Sequence, residues 1–324
     1  MPVTTHIPHW GDLRVSDAHV HFFSHSFYSA LARQKRVDGV EALGPMLEGW
    51  EIPGAAAGDS DPLAERWVAE LNSHRIARAC LIGSVPGDED GVAVAVAEHP
   101  SRFFGAFMLD PLQPDAVDRM ERAASNPHLH TVCLFPAMQR FSVADDVHVA
   151  PVLDVASAHH MAVFVHCGAL SVGVRRKLGL PSPFDMRYSS PLDLHPVALR
   201  YPQVPFIIPH FGSGMLREAL MVADLCPNVY LDTSSSNKWM KYEGLNLRTV
   251  FGRALDVAGP SRLLFGSDSS FFPRGWQHDV LEQQATALYE LGVKEAEARL
   301  ILGGNLERLM AERTEKTPLP SGIS

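Results

Sequence analysis

His19 and His21 stand one residue apart in the run Val15-Ser16-Asp17-Ala18-His19-Val20-His21. On an extended strand, residues i and i+2 face the same side, so the two imidazoles aim at one point. Neutral imidazole is a common protein ligand for zinc. Asp17 shares that face and is expected to orient one of the rings. Three further apolar runs end on a ligand-type residue: Met161 to His166, Val204 to His210 and Arg262 to Asp268. Taken singly, a strand-end histidine reads as a satisfied core residue and an aspartate there as a turn cap. Taken together, they supply three His and one Asp for a zinc shell and leave one His free as an acid/base. A metal with an open position lowers the pKa of bound water to about 7, which makes a nucleophile available at neutral pH.

The elements that must carry these residues follow from apolar, β-branched runs bounded by turn formers. Strands are expected near 14–21, 79–84, 103–109, 131–135, 161–166, 204–210, 228–232 and 262–267. Helical stretches alternate with them, among them 115–124, 150–160, 192–201, 215–225 and 247–258, with two more near 276–291 and 294–302. Gly91–Glu98 reads as helix because it lies between two better strands. Strand–helix alternation repeated eight times predicts an α/β fold, a (β/α)8 TIM barrel, whose chemistry sits at the C-terminal rim of the strands.

Two segments exceed a minimal barrel. Residues 22–75 follow the first strand and are expected to be an insertion or lid, rich in Gly and Pro and holding Trp50 and Trp67. Residues 167–190 follow the fifth strand and are rich in turn formers. Both leave from the active-site side, where long loops wall off substrates. The expected organisation is one barrel domain over 1–313 and a frayed tail over 314–324.

At 324 residues, 46% hydrophobic and 20% charged, the chain has the composition of a soluble globular protein. A net charge of -9 argues against a nucleic-acid partner, which needs a basic face. The N-terminus lacks a basic segment followed by an apolar stretch, and no apolar run is long enough to span a bilayer, so a cytoplasmic location is expected. Cys80, Cys133, Cys167 and Cys226 are widely spaced and read as free thiols, most of them in apolar runs. Aromatic residues in the 22–75 segment would suit a homodimer.

The motifs, in order, resemble those of the amidohydrolase superfamily, in the branch that contains aminocarboxymuconate-semialdehyde decarboxylase. The resemblance rests on Asp17-Ala18-His19-Val20-His21-Phe22, Phe164-Val165-His166-Cys167-Gly168, Pro209-His210-Phe211-Gly212, Asn228 to Ser234, Leu264-Phe265-Gly266-Ser267-Asp268 and Gly304 to Leu309. It implies that His19, His21, His166 and Asp268 hold one divalent metal; three His and one Asp suit zinc first, with manganese or iron as alternatives. It implies that His210 is the acid/base beside the metal. Binuclear relatives carry a bridging lysine on the fourth strand, where this chain has Cys133. One metal is therefore expected, and the apolar neighbours of Cys133 argue against a thiolate ligand.

Gln139, Arg140, Arg187, Tyr188, Lys238, Trp239 and Arg274 follow strand ends and are candidates to bind a small-molecule substrate; an arginine would suit a carboxylate. Asp232 and Ser234 read as structural, pinning loop backbone. The expected function is hydrolysis of an amide, ester or lactone by metal-activated water, with His210 or Asp268 managing the proton. Non-oxidative decarboxylation of an aromatic or unsaturated acid, or hydration, uses the same ligands. Some decarboxylase relatives replace the first histidine of the pair by glutamate; this chain keeps both, which favours hydrolysis. A metal-binding barrel without catalysis is the reading from a different class, and the spare His210 argues against it.

Overall fold

Apolar residues alternate along the strands because each strand buries both faces, one into the barrel and one against the helices. Cys80, Ile82, Phe104, Ala106, Met108, Cys133, Ala162, Phe164, Ile207 and Leu264 pack together inside the barrel. Their neighbours in sequence, such as Leu81, Phe103, Val132, Val163, Phe206 and Leu231, join the outer core under the helices. The computed structural model describes residues 3–55, 61–234 and 238–316.

The barrel strands are β1 (Ser16–Phe22), β2 (Arg78–Gly83), β3 (Phe103–Met108), β4 (Leu129–Leu134), β5 (Ala162–Val165), β6 (Phe206–Ile208), β7 (Val229–Asp232) and β8 (Leu263–Leu264). They form one parallel 8-stranded sheet in chain order. The β8–β1 seam closes by single bonds instead of a ladder: Ala18 N–H to the Phe265 carbonyl at 2.8 Å, Asp268 N–H to that of His19 at 3.0 Å and His21 N–H to that of Ser269 at 2.8 Å. This is a TIM barrel, as expected. Gly91–Glu98 is helical within Glu89–Glu98, and Leu247–Ala258 forms the expected helix, capped by the Asn246 side chain and ended at Gly259.

The final helix, Asn305–Lys316, contributes Leu306, Leu309 and Met310 to the barrel interior. Its Glu307 binds Ser16 Oγ and Arg78, both at strand starts, so this helix covers the N-terminal mouth. A short antiparallel hairpin, Thr5–Ile7 with Gly11–Leu13, precedes the barrel; its strands are too short to register as a periodic pattern.

Residues 22–75 are not one insertion. Pro62–Ser73 is the barrel helix between β1 and β2, started by Pro62 and the Asp61 cap, and it puts Leu63, Ala64, Trp67 and Leu71 into the main core. The added material is the part before it. The helix His25–Lys35 and the 3-10 turn Glu41–Leu47 build a satellite core of Phe27, Tyr28, Leu31, Leu43 and Leu47. Val174 and Leu178 of the segment after β5 join the same cluster, so the two long loops pack on each other. Among the described residues, no helix is long and apolar enough to cross a membrane.

Candidate active site

His19 and His21 lie on β1 and their Nε2 atoms approach to 3.4 Å. Asp268 follows β8, and its Oδ1 lies 3.4 Å from His21 Nε2 and 3.8 Å from His19 Nε2. Ligands held tetrahedrally at about 2.0–2.1 Å from one zinc ion stand about 3.3–3.4 Å apart, so this spacing fits a shared metal. The three residues form a group able to hold a metal ion.

The opposite edge of each ring fixes this arrangement. His19 Nδ1 pairs with Asp232 Oδ2 at 2.6 Å, and neither side chain is more than 1% exposed. His21 Nδ1–H donates to Ser84 Oγ at 3.0 Å, and that hydroxyl donates onward to the Ile82 carbonyl at 3.1 Å. With both Nδ1 atoms committed as donors, both Nε2 lone pairs point at the same place.

His210 and His166 stand beside this trio. The His210 ring centroid lies 4.9 Å from that of His19 and 5.4 Å from that of His166. His210 Nδ1–H donates to the Ser234 carbonyl at 2.9 Å, which leaves Nε2 free to take or give a proton. His166 stacks on Phe135, and its buried Nδ1 has no hydrogen-bond partner among the described residues. His210, Phe211, Gly212, Ser213 and Gly214 all have positive φ, between 44° and 92°, and Asp268 has φ 58°. Left-handed backbone at non-glycine residues is costly and persists where surrounding contacts over-determine it. Here Ala169 N–H donates to the Ser213 carbonyl at 2.8 Å and Ser213 Oγ to the Ala169 carbonyl at 2.7 Å.

Burial dominates the electrostatics. It lowers the imidazole pKa of His21 and His210, and that of His166 strongly, which favours the neutral, ligand-competent ring. For His19, burial acts downward, but the Asp232 charge and hydrogen bond outweigh it. For Asp268, burial pushes upward, yet the His21 hydrogen bond and the His210 and His19 charges hold the carboxyl below its usual range. The thiol of Cys133 is fully buried and pushed well up by desolvation; it sits in the apolar barrel interior as a neutral side chain.

The remaining candidates divide. Arg274 Nη2 donates to the Asp268 carbonyl at 3.1 Å and to Ser270 Oγ at 2.7 Å. Its guanidinium lies 4.7 Å from the Phe271 ring, which stacks on Trp50 at 3.6 Å. Gln139 is tied to backbone at Leu109 and Phe135. Arg140 donates to the Pro183 carbonyl. Arg187 is exposed and paired with Asp185. Tyr188 is half-buried beside it, and Trp239 packs into the main core. The side chain of Lys238 lies outside the described set.

The expectation for Asp17 needs correction, and that for Asp232 needs extending. Asp17 orients no imidazole; its Oδ1 accepts the backbone N–H groups of His19 and Ser267. The ring of His19 is instead held by Asp232 Oδ2, while Asp232 Oδ1 accepts the Ser234 N–H and pins the loop as expected. The signal was present, because Asp232 ends its strand as the proposed ligands end or follow theirs. Ser84 gave no such signal.

A model of the family described as Amidohydrolase matches residues 16–310. The chain belongs to this amidohydrolase family. A stretch of 85 residues is 31% identical to protein fluG of Emericella nidulans, covering 26% of this chain and 10% of that protein. The chain thus matches only a small part of that relative's length. A crystal structure of 5-carboxyvanillate decarboxylase from Sphingomonas paucimobilis superposes with TM-score 0.63 at 17% identity over 92% of this chain and 99% of that one. A zinc-bound amidohydrolase from Burkholderia multivorans gives TM-score 0.60 at 16% identity over 92% and 99%. At these identities the likeness of this chain to either structure is one of fold.

Proposed function

We propose that this chain is a metal-dependent hydrolase of a small-molecule amide, ester or lactone, with His19, His21, His166 and Asp268 as ligands of one divalent ion. The observation that carries the reading is the convergence of His19 Nε2, His21 Nε2 and Asp268 Oδ1, with His210 beside them and free at Nε2. His166 completes the set; its buried, unpartnered Nδ1 is hard to explain in a metal-free core. When bound, the ion supplies Lewis acidity and a water of lowered pKa. Zinc suits this donor set, and manganese is the alternative; a neighbouring amidohydrolase structure holds zinc and a 5-carboxyvanillate decarboxylase from Novosphingobium aromaticivorans holds manganese.

The chain's own residues do the rest. Neutral His210 accepts a proton at Nε2 and returns it to the leaving group, while its Nδ1–H keeps the ring fixed on Ser234. Asp268 stays ionised, held so by the histidines around it, as a ligand must. Arg274 has no carboxylate paired with it among the described residues, and it stands against Asp268, where it can bind an anionic group of the substrate.

That cation favours a second reading, decarboxylation of an aromatic or unsaturated acid, in which His210 would deliver a proton to carbon. The test is a panel of esters, lactones, amides and aromatic acids, assayed with zinc and with manganese. Hydrolysis supports the first reading. Release of carbon dioxide without hydrolysis replaces it by the second.

A further inference from the structure

We infer that Asp17 is a positioning residue that braces the two halves of the metal site against each other. The inference rests on the proposed ligand set. His19 and His21 come from β1 and Asp268 from the loop after β8, so the site straddles the barrel seam. That seam is irregular. The regular part of β8 ends at Leu264, and beyond it the chain meets β1 at an isolated bridge, Val20 with Ser269. Three backbone bonds cross it, among them the one from Asp268 N–H to the His19 carbonyl at 3.0 Å.

Asp17 adds a side-chain brace beside these bonds. Its Oδ1 accepts the His19 N–H at 2.9 Å and the Ser267 N–H at 3.0 Å, one donor from each side of the seam. Each donor belongs to, or directly precedes, a proposed ligand. Its Oδ2 accepts the Trp276 indole N–H at 2.7 Å, which stops the carboxylate from rotating away. Trp276 is itself held: its backbone N–H donates to Glu70 Oε1 at 2.9 Å. Asp17 is 0% exposed, so water cannot substitute for it. All three of these donors are N–H groups, and only a carboxylate can accept from both sides at once. An asparagine of the same shape must turn its NH2 toward either the indole or the paired backbone donors.

The test is metal titration of the apo-protein, with zinc and manganese, in wild type, D17N and the double variant D17N/W276F. Circular dichroism and thermal melting of each apo form run alongside. The expected result is a loss of roughly 10- to 100-fold in metal affinity for D17N, the range known for groups that orient ligands. In the double variant the indole donor is gone, so asparagine can present its oxygen to both backbone N–H groups and most of the loss is recovered. The double variant also covers the case in which D17N alone fails to fold. Wild-type affinity in folded D17N, or a loss confined to apo stability, overturns the inference and leaves the metal site standing. An unrecovered loss in a folded double variant overturns it as well. Failure of the wild type to bind a stoichiometric ion overturns the site and the inference together.

Discussion

Asp232 Oδ2 lies 2.6 Å from His19 Nδ1, with both side chains sealed from solvent. A carboxylate behind a ligating imidazole fixes its tautomer and raises its basicity. Ser234 N–H holds the other carboxylate oxygen at 2.6 Å, so the pair cannot swing apart. Replacing Asp232 by asparagine keeps the shape and one acceptor but removes the charge. Metal affinity is expected to fall roughly 10- to 100-fold, with the fold intact. Isothermal titration of the apo-protein measures this, and an unchanged affinity would detach Asp232 from the site.

His210 separates binding from chemistry. H210N removes the free Nε2 and leaves the proposed ligands in place. Metal content by elemental analysis is expected to match wild type, while turnover falls by roughly two to four orders of magnitude. Loss of the metal in H210N would make His210 a ligand instead of an acid/base.

One ion per chain is expected. Cys133 lies in the apolar interior with its thiol neutral, so nothing there bridges a second ion. Chelation should abolish activity and lower the melting temperature, because an ion at 100 times its Kd stabilises the fold by about 2.7 kcal/mol. Two ions per chain by elemental analysis would overturn the single-metal site.

How legible this was in the sequence follows from what each residue does. The apolar runs of β3, β5 and β6 mark themselves, because a strand buried on both faces is largely apolar. The rim residues mark themselves too, since a polar residue ending such a run needs a reason. Pro62–Ser73 was absorbed into the supposed insertion because turn formers on its N-terminal side hid its helical spacing of Leu63, Trp67 and Leu71. Asp17 was misassigned for a related reason. Strand alternation puts it on the face of His19 and His21, but its carboxylate turns to backbone where β1 shifts register against β2. Arg187 looked like a substrate ligand until Asp185, two residues away, took its charge. Local pattern reports burial well and side-chain partners poorly.

The satellite core offers a pH effect. Asp88 is buried, and its Oδ2 accepts the Ser24 hydroxyl, whose oxygen also caps the helix His25–Lys35 by accepting the Phe27 N–H. Burial raises its pKa from 3.8 to about 6, against the lowering by its Ser24 and Ser26 hydrogen bonds, while Asp61 and Glu89 add repulsion. The folded state therefore holds this proton more tightly than the unfolded chain does. The contribution is fully present below about pH 4 and is lost as pH rises toward about 6, by at most about 3 kcal/mol. Melting curves between these limits should slope less in D88N than in wild type once the rest of the titration is common to both. Identical slopes would show that Asp88 titrates normally.

Gly168 ties the backbone of the fifth and sixth loops together. It has φ 73°, and a Cβ at this position would stand 2.0 Å from the Gly212 carbonyl oxygen and 2.5 Å from that of Ser213. Both atoms are backbone, so no flexible side chain can move aside. The obstructed turn is the left-handed one that carries His210. G168A must either widen this contact or flatten that turn. The first route destabilises the fold by about 3 kcal/mol or more, and the second also displaces His210. Thermal melting measures the first, and turnover per bound metal measures the second. A G168A variant with wild-type melting and wild-type turnover would show that the two loops can separate freely.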